Sequence, residues 1–169
     1  MNVTVRPATV DDARAIAAVH VASWRTTYRG IIDEEALSQL SIRRRAEYWR
    51  GQLSDPYGFG IFVAVDDQGE VIGFATGGEE REDDAAFSAE LFAIYLLEET
   101  QRNGVGRQLV DAVFSDLRNA GHQTILVWVL ADNPAVNSYK SLGAIQVRNR
   151  TIDILGKEYE ELGLGWKFS

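Results

Sequence analysis

Two apolar runs constrain the fold of this chain more than any other feature. The segments AELFAIYLL (89–97) and TILVWVLAD (124–132) are apolar on both faces of an extended chain, which is typical of strands in the middle of a sheet. Each run is followed by a helical pattern. After the first run, apolar residues recur every four positions, at Val105, Leu109, Val113 and Leu117. Two central strands that each lead into a helix indicate an α/β domain with a mixed sheet.

Hairpins are predicted on either side of these strands. GFGIFVAVDDQGEVIGFATGG contains two strand patterns joined by a DDQG turn, and AIQVRNRTID and KEYEELGLGWKF flank a turn at Gly156. The chain begins with a strand pattern, VTVRPAT, and a helical pattern from Asp11 to Gly30. A second helix is predicted over about Asp33 to Leu53, and the acidic segment EEREDD (79–84) is interpreted as a solvated loop.

Composition excludes several kinds of protein. The 169 residues are 46% hydrophobic, which favours one domain over residues 1–169. The absence of cysteine excludes a disulfide framework, a thiolate metal site and a cysteine nucleophile. The two histidines have no metal-binding spacing, so no metal is expected. The net charge of −8 disfavours nucleic acid as a partner. The start has no secretory pattern and no apolar run is long enough to span a membrane, so we expect a cytoplasmic protein without a membrane partner.

The segment QRNGVGRQLV (101–110) is the candidate ligand-binding loop, because it joins the first central strand to a helix. Gly104 and Gly106 allow a tight bend and a close approach to a ligand. The helix start offers free N–H groups and the positive end of a dipole, and Arg102 and Arg107 add positive charge. These features favour an anion such as a phosphate. The alternative is a plain turn that needs glycine only for its shape.

Two common phosphate-binding motifs do not fit this loop. A Walker loop requires Lys and then Ser or Thr after the last glycine, whereas this chain has Arg107 and Gln108. A dinucleotide-binding fingerprint requires a third glycine where this chain has Leu109. Such a fingerprint also follows the first strand of a βαβ unit, whereas the strand before this loop is not the first. A nucleotide-binding switch is therefore disfavoured.

QRNGVG fits the Q/R-x-x-G-x-G/A signature of the GNAT superfamily of acetyl-CoA-dependent N-acetyltransferases, and the chain resembles that family along essentially its whole length. ELFAIYLLEET resembles the family's fourth strand, and HVASWRTTYRGII resembles a W-x-x-x-Y-x-G stretch of one bacterial branch. DNPAVNSYKSLGA resembles the N-x-x-A-x-x-x-Y-x-x-x-G-F segment. There the chain departs from the pattern, since Asn133 lies six residues before Tyr139 and alanine replaces the final aromatic residue.

The resemblance implies a mostly antiparallel sheet of about seven strands with helices on both faces, splayed between strands 4 and 5. Acetyl-CoA, the co-substrate, would place its pantetheine in that gap, against the backbone near Tyr95, Leu96 and Leu97. The amide of Leu96 would then face the thioester carbonyl. The residues implied in binding the pyrophosphate are those of the glycine loop: Arg102, Asn103, Gly104, Val105, Gly106 and Arg107.

The same resemblance assigns Tyr139 as the acid that protonates the leaving thiolate, although a tyrosine also packs well on a helix face. Asn133 would contact the pantetheine or position the following helix, and an asparagine before proline is also a good turn and N-cap residue. Glu90, at the start of the fourth strand, is the candidate base. The competing proton acceptors are Glu79, Glu80 and water.

Trp24 and Tyr28 stand four residues apart on one helix face and are implied to line the acceptor pocket. For Trp24, core packing is the alternative. His20 and His122 are interpreted as structural. The run Arg43, Arg44, Arg45 is interpreted as a solvated helix face, because consecutive residues point to different sides of a helix.

The combined interpretation is acetyl transfer to the primary amine of a small, cationic molecule, such as a polyamine, an aminoglycoside or an amino-acid-like compound. The acidic loop and the negative net charge suggest the cationic acceptor. The alternatives are a protein N-terminal or lysine acetyltransferase and a non-catalytic acyl-CoA-binding module. Retention of both Tyr139 and the glycine loop favours the enzyme. The family resemblance is compatible with a homodimer, although no residue pattern indicates one.

Overall fold

The computed structural model describes residues 2–55, 58 and 60–169. Short 3₁₀ turns at Val10–Asp12 and Glu98–Thr100 precede the first and fourth helices of the regular structure. The strands are β1 (Thr4–Pro7), β2 (Gly60–Val65), β3 (Val71–Glu79), β4 (Ala89–Leu96), β5 (Thr124–Leu130), β6 (Ile145–Ile154) and β7 (Lys157–Lys167). The helices are α1 (Ala13–Thr27), α2 (Glu34–Ser38), α3 (Ile42–Ser54), α4 (Val105–Asn119) and α5 (Ala135–Ser141).

The seven strands form one sheet in the order β1-β2-β3-β4-β5-β7-β6. Every neighbouring pair is antiparallel except β4 and β5, which are parallel. That parallel pairing covers only Ala89–Leu91 against Ile125–Val127, although both strands continue beyond it. The two strands therefore separate after Leu91. The predicted fold class, including the splay between strands 4 and 5, is confirmed.

A β-bulge lies where β4 leaves β5. Thr76 of β3 is opposite Ala93, but the next residue, Gly77, is opposite Leu91, so Phe92 is an extra residue in β4. An extra residue in one strand bends that strand and increases its local twist. The bend at Phe92 follows immediately on the last residue paired with β5, and it accounts for the position of the gap.

The two faces of the sheet are covered by different helices. On one face α4 packs its apolar stripe, including Leu109 and Val113, against Leu91 of β4 and Ile125 of β5. On the other face α1 and α3 pack on β2 and β3, in a second cluster that includes Phe74. Burial of each large side chain contributes about 1.5–3 kcal/mol. The two clusters therefore hold helices on both faces of the sheet, and the cluster of α4 spans both β4 and β5.

The second predicted helix is wrong as a single element, because the structure contains two helices, α2 and α3, separated by residues 39–41. Ser41 caps α3: its Oγ accepts a hydrogen bond from the backbone N–H of Arg44 at 3.3 Å. A serine in this position satisfies an otherwise free N–H and favours a new helix start over continuation.

The acidic loop after β3 is not simply solvated. Arg148 of β6 donates to both carboxylate oxygens of Asp84, at 3.2 and 3.1 Å, and Arg150 donates to Glu82 at 2.6 Å. The carboxylate of Glu80 accepts from the amides of Glu82 and Asp84. The loop is therefore folded on its own amides and docked on β6, at side chains that the sequence places far away.

The remaining predicted elements are confirmed. The hairpin β2–β3 turns through Gly69 at φ +83°, and β6–β7 turns through Gly156 at the same φ. Phe59, at the start of the predicted hairpin, lies outside the described residues. In the part of the chain that the structure describes, no helix is long and apolar enough to cross a membrane.

Candidate active site

The backbone of β4 presents an amide to the gap. The N–H of Leu97 donates to the carbonyl of Ile72 in β3 at 3.0 Å. Backbone groups alternate in direction along a strand, so the N–H and C=O of Leu96 point away from β3 and towards the gap. The Leu96 carbonyl accordingly accepts from Ser23 Oγ of α1 at 2.9 Å rather than from β3. The structure thus places the predicted Leu96 amide on the gap side of the strand.

The glycine loop forms the N-terminus of α4. Gly104 precedes the first helical residue with φ +78°, and its carbonyl accepts the first helical bond, from the N–H of Gln108 at 3.1 Å. The N–H groups of residues 105–107 belong to the first helical turn, which has no intrahelical acceptors. The side chains of Arg102 and Arg107 are exposed beside them. The geometry is that of an anion site at a helix N-terminus.

Gly106 brings this helix start against β4. A Cβ atom at Gly106 would lie 3.2 Å from Cδ1 of Leu96, so any side chain there would require Leu96 to move. Val105 is fully buried beneath the loop, whereas Asn103 is exposed with the arginines. The anion site and the gap are therefore continuous, as one extended ligand would need.

Tyr139 lies on α5, next to β5, and is 7% exposed. Its ring packs edge-on against Trp166, with centroids 5.9 Å apart. Asn133 caps the start of the helix, because its Oδ1 accepts from the N–H of Ala135 at 2.9 Å. Burial, together with the nearby Tyr28, raises the pKa of Tyr139 above its usual value. The hydroxyl therefore keeps its proton at neutral pH.

Tyr28 joins the two sides of the gap. Asn133 Nδ2 donates to the Tyr28 hydroxyl oxygen at 3.1 Å, which links the C-terminal end of α1 to the end of β5. Burial raises the pKa of Tyr28, while hydrogen bonds from Asn133 and Tyr95 oppose that shift. Burial also raises the pKa of Tyr95, with a further contribution from Tyr28. Three protonated tyrosines, Tyr28, Tyr95 and Tyr139, therefore lie near one another at the gap.

The Tyr28–Asn133 bond was not predicted, because the two residues are 105 positions apart in the sequence. The side chain of Tyr95 was likewise missed, since only its backbone was singled out. The face shared by Trp24 and Tyr28 is confirmed by a ring contact with centroids 4.8 Å apart. Tyr28 is buried and Trp24 half-buried, so their wall of the gap is largely closed by aromatic rings.

Glu90 lies beside the gap in a buried ion pair. Its side chain is 2% exposed and accepts from Arg81 through both oxygens, at 2.6 and 3.3 Å. The Arg81 guanidinium stacks over the ring of Phe92 at 4.3 Å. The candidate base thus lies in the part of β4 that is still paired with β5, and each of its oxygens accepts one hydrogen bond from Arg81. No pattern in the sequence indicated Arg81 as its partner.

His20 is enclosed by aromatic rings on the α1 face of the sheet. It stacks on Tyr95 with ring centroids 5.2 Å apart and also contacts Trp24, Trp49 and Phe74. Burial, and to a smaller extent the charge of Arg45, lowers the pKa of His20 to about 4. His20 is therefore neutral at pH 7, consistent with a structural role. His122 shares a hydrogen bond with Ser88 Oγ at 2.8 Å.

The arginine run is only partly solvated. Arg43 and Arg44 are exposed, as predicted, but Arg45 is half-buried. Residues four apart share a helix face, so Arg45 lies one turn from the buried Trp49 on the side that faces α1. For Arg45 the predicted solvated face is wrong.

The gap beside the parallel pair and the helix start that can hold an anion suit an extended, phosphate-bearing ligand such as a coenzyme A thioester. The model of the Acetyltransferase (GNAT) family matches residues 19–144. Within the described residues, no group of three or more His, Asp or Glu side chains is arranged to hold a metal ion. The chain belongs to the GNAT family, and it is an N-acetyltransferase with acetyl-CoA as its co-substrate.

The chain is similar to proteins from several organisms. It is 40% identical over 164 residues to the uncharacterized N-acetyltransferase YuaI of Bacillus subtilis, covering 97% of this chain and 92% of that protein. It is 24% identical over 151 residues to the L-methionine sulfoximine/L-methionine sulfone acetyltransferase of Pseudomonas aeruginosa, covering 85% and 80%. The PaiA N-acetyltransferase of Thermoplasma acidophilum, solved in complex with coenzyme A, superposes with a TM-score of 0.76 at 22% identity, covering 99% and 100%.

Proposed function

We propose that this enzyme transfers an acetyl group to the primary amine of a small molecule by direct attack within a ternary complex. The observation that carries the proposal is the gap itself, which has the Leu96 amide on one strand and Tyr139 on the helix beyond the other. In the reaction a C–N bond forms at the thioester carbonyl and the C–S bond breaks. Because the chain contains no cysteine, it has no thiol to carry an acetyl group between two half-reactions.

The carbonyl oxygen of the thioester becomes negative when the amine attacks. We assign the backbone N–H of Leu96 as its hydrogen-bond donor, supported by the direction of that group towards the gap. The coenzyme pyrophosphate is assigned to the amides of residues 104–107, with Arg102, Asn103 and Arg107 at the rim. In this assignment acetyl-CoA is bound mainly by backbone N–H groups. Its position therefore depends on the loop conformation more than on any one side chain.

The leaving thiolate needs a proton or a hydrogen bond. We assign this role to Tyr139, whose hydroxyl stays protonated because burial raises its pKa. Asn133 positions the helix that carries Tyr139 through its cap on Ala135. The attacking nitrogen loses its second proton to solvent as the amide forms, and the proton lost by Tyr139 is replaced from solvent after coenzyme A leaves. A non-catalytic acyl-CoA-binding module would not require this hydroxyl.

The acceptor is assigned to the α1 side of the gap, where Trp24 and Tyr28 form a wall. Its reacting nitrogen arrives as an ammonium ion, which is the cationic part of the proposed substrate. The acidic loop supports a cationic acceptor less strongly, because two of its five carboxylates, Asp84 and Glu82, are paired with Arg148 and Arg150. A small acceptor is further supported by the similarity to the Pseudomonas enzyme, which is named for two small amino-acid derivatives. Protein N-termini and lysines are the alternative acceptors.

The test is a panel of acceptors assayed with acetyl-CoA by the release of free thiol. The panel contains polyamines, aminoglycosides, amino acids and peptides with a free N-terminus or lysine. We expect at least one small amine to support turnover well above the hydrolysis rate, with its acetylated product identified by mass spectrometry. Turnover with the peptides alone would replace the small-molecule assignment by the protein acetyltransferase. Acetyl-CoA binding with no acceptor in any class would support the non-catalytic module.

Glu90 is proposed to take the proton of the ammonium through water, at a lone pair that the two hydrogen bonds from Arg81 leave free. For Glu90→Gln we expect kcat/KM at pH 7 to fall about 10-fold or more. The kcat/KM of the variant should depend only on the fraction of acceptor present as free amine. Below the pKa of the amine, log kcat/KM should therefore rise by one for each pH unit. The wild-type profile should be flatter. The measurement is kcat/KM from pH 6 to pH 9.

Glu79→Gln is the matched control, since Glu79 is an exposed carboxylate at the end of the neighbouring strand. It should reproduce the wild-type profile. Circular dichroism and thermal unfolding of Glu90→Gln control for the loss of the ion pair, in which the Arg81 side chain is 60% exposed and free to turn to solvent. A Glu90→Gln variant with the wild-type profile would exclude Glu90 as the base and leave Glu79, Glu80 and water as the proton acceptors, of which Glu79→Gln tests the first.

A further inference from the structure

Arg45 differs from the other arginines around the acceptor side of the gap. Arg81 is paired with Glu90, Arg148 with Asp84, and Arg150 with Glu82 and Glu161. The Arg45 guanidinium has no hydrogen bond, ion pair or stacked ring among the residues that the structure describes. It is nevertheless half-buried. An arginine can bury its aliphatic stem while its charged head stays accessible, so the unpaired guanidinium of Arg45 is available to a ligand.

The position of Arg45 is on the acceptor side of the gap. It lies one helical turn before Trp49, whose ring centroid is 6.1 Å from that of His20. His20 in turn stacks on Tyr95, at the edge of the gap. The charge of Arg45 acts on His20, where it adds to the effect of burial in lowering the pKa. This chain of contacts connects Arg45 to the strand that borders the reacting thioester.

The same face of the sheet has unused hydrogen-bonding groups. His20, Trp49 and Thr76 are 7%, 3% and 1% exposed, and Trp128 of β5 is half-buried. Within the described residues, four buried atoms on these side chains have no hydrogen-bond partner: His20 Nδ1, Trp49 Nε1, Thr76 Oγ1 and Trp128 Nε1. An indole N–H can only donate a hydrogen bond, whereas a histidine ring nitrogen or a hydroxyl can either donate or accept one. Unsatisfied buried groups are rare and call for a specific reason.

The carboxylates on this face do not satisfy those donors. Glu90 of β4 is held by Arg81, and Glu161 of β7 is held by Arg150 at 2.7 Å. The Arg150 guanidinium also stacks over Trp128 at 3.8 Å. Among Arg45, Arg81, Arg148 and Arg150, only Arg45 has no partner within the described residues. The unpaired donors are buried beneath this face. The positive charge of Arg45 is complementary to an anionic group on a ligand.

We propose that Arg45 binds a carboxylate of the acceptor, an inference that rests on the proposed function. The substrate class is then an amino-acid-like molecule that carries both an amine and a carboxylate. An arginine fork matches the two oxygens of a carboxylate and fixes its orientation. Fixing the carboxylate at α3 directs the amine of the same small molecule towards the gap. Arg45 thus selects zwitterionic acceptors over amines that carry only positive charge.

The experiment uses matched sets of acceptors: an L-amino acid, its carboxamide and the amine that remains when the carboxylate is removed. Sets with aliphatic, thioether and aromatic side chains are assayed with saturating acetyl-CoA by thiol release. We expect wild-type enzyme to have a lower KM for the amino acid than for its carboxamide. In Arg45→Gln the KM of the amino acid should rise about 10- to 100-fold while kcat changes little. The KM values of the two neutralised analogues should stay within about twofold.

Two further variants separate charge from structure. Arg45→Lys keeps the positive charge without the fork, so its KM for the amino acid should lie between those of wild type and Arg45→Gln. Arg44→Gln removes an exposed arginine from the same run and should match wild type. Folding of each variant is checked by thermal unfolding and by its affinity for acetyl-CoA.

The outcomes distinguish this inference from the function on which it rests. If amines react but the amino acid and its carboxamide have equal KM values, or if Arg45→Gln raises both equally, the carboxylate subsite is overturned and the acetyltransferase assignment stands. If no small amine in any set releases thiol, the proposed acceptor class is overturned and the subsite with it. A selective loss of carboxylate binding in Arg45→Gln supports both.

Discussion

Tyr139→Phe is expected to lower kcat by about 10²-fold or more while the dissociation constant of acetyl-CoA changes less than threefold. The hydroxyl is the only part removed, and the ring remains packed against Trp166. Because burial raises the pKa of Tyr139, the proton is present throughout the neutral and moderately alkaline range. Wild-type kcat should therefore not fall between pH 7 and about pH 9.5 through ionisation of this group. Steady-state kinetics and calorimetric titration with acetyl-CoA provide the two measurements.

Tyr159→Phe is the control for the loss of a tyrosine hydroxyl. Tyr159 accepts a hydrogen bond from the amide of Asp33 at 3.0 Å, between β7 and the start of α2. That variant should retain kcat within about twofold, since the bond lies outside the gap. Equal turnover in Tyr139→Phe and wild type would remove the acid role and return Tyr139 to a packing residue.

Gly104→Val is expected to weaken acetyl-CoA binding about 10²-fold or more. Gly104 has φ +78°, and a β-branched residue in that conformation costs about 1–2 kcal/mol, so the loop should rearrange. The free N–H groups at the start of α4 then lose their common direction, and the pyrophosphate loses several donors at once. No atom lies within 4 Å of a Cβ built at Gly104, so the effect comes from the backbone rather than from a clash. Calorimetry with acetyl-CoA and with coenzyme A measures it.

Gly69→Val is a matched control, because Gly69 has φ +83° and a Cβ there also meets no atom within 4 Å. It lies in the β2–β3 turn, so the same backbone strain should reduce stability without altering acetyl-CoA affinity. Gly106→Val tests the loop by a different route, since its Cβ would press on Leu96 Cδ1 at 3.2 Å. Unchanged affinity in both loop variants would exclude this helix start as the pyrophosphate site.

The fold was predictable where the information is local. The two-faced strands, the hairpin turns and the stripe of α4 each depend on residues within one element or its neighbour. The helix boundary at Ser41 was missed although its signal is local, because the apolar positions on both sides suggested one continuous helix. The acidic loop was misjudged for a different reason: its partners, Arg148 and Arg150, lie on a distant strand.

For the candidate site too, the features set by local sequence were predictable and those set by distant contacts were not. The glycine loop could be found from sequence, because its conformation is set by Gly104 and the helix that follows. The partners of the chemical groups could not, since the Tyr28–Asn133 bond is formed only when α1 reaches β5. Arg45 illustrates the limit: three consecutive arginines look equivalent, and only the packing of Trp49 on α1 decides which of them faces inward.

The extra residue at Phe92 also determines which face of the sheet each later side chain of β4 occupies. Side chains alternate between the faces of a strand, so in a regular strand Leu91, Ala93 and Tyr95 would share one face. Here Leu91, Ile94 and Leu96 pack in the cluster of α4, whereas Ala93 and Tyr95 pack in the cluster of α1 and α3. One inserted residue therefore decides which side chains border the coenzyme helix and which border the acceptor. If the same residues formed a regular strand without the bulge, the side chains after Leu91 would exchange faces.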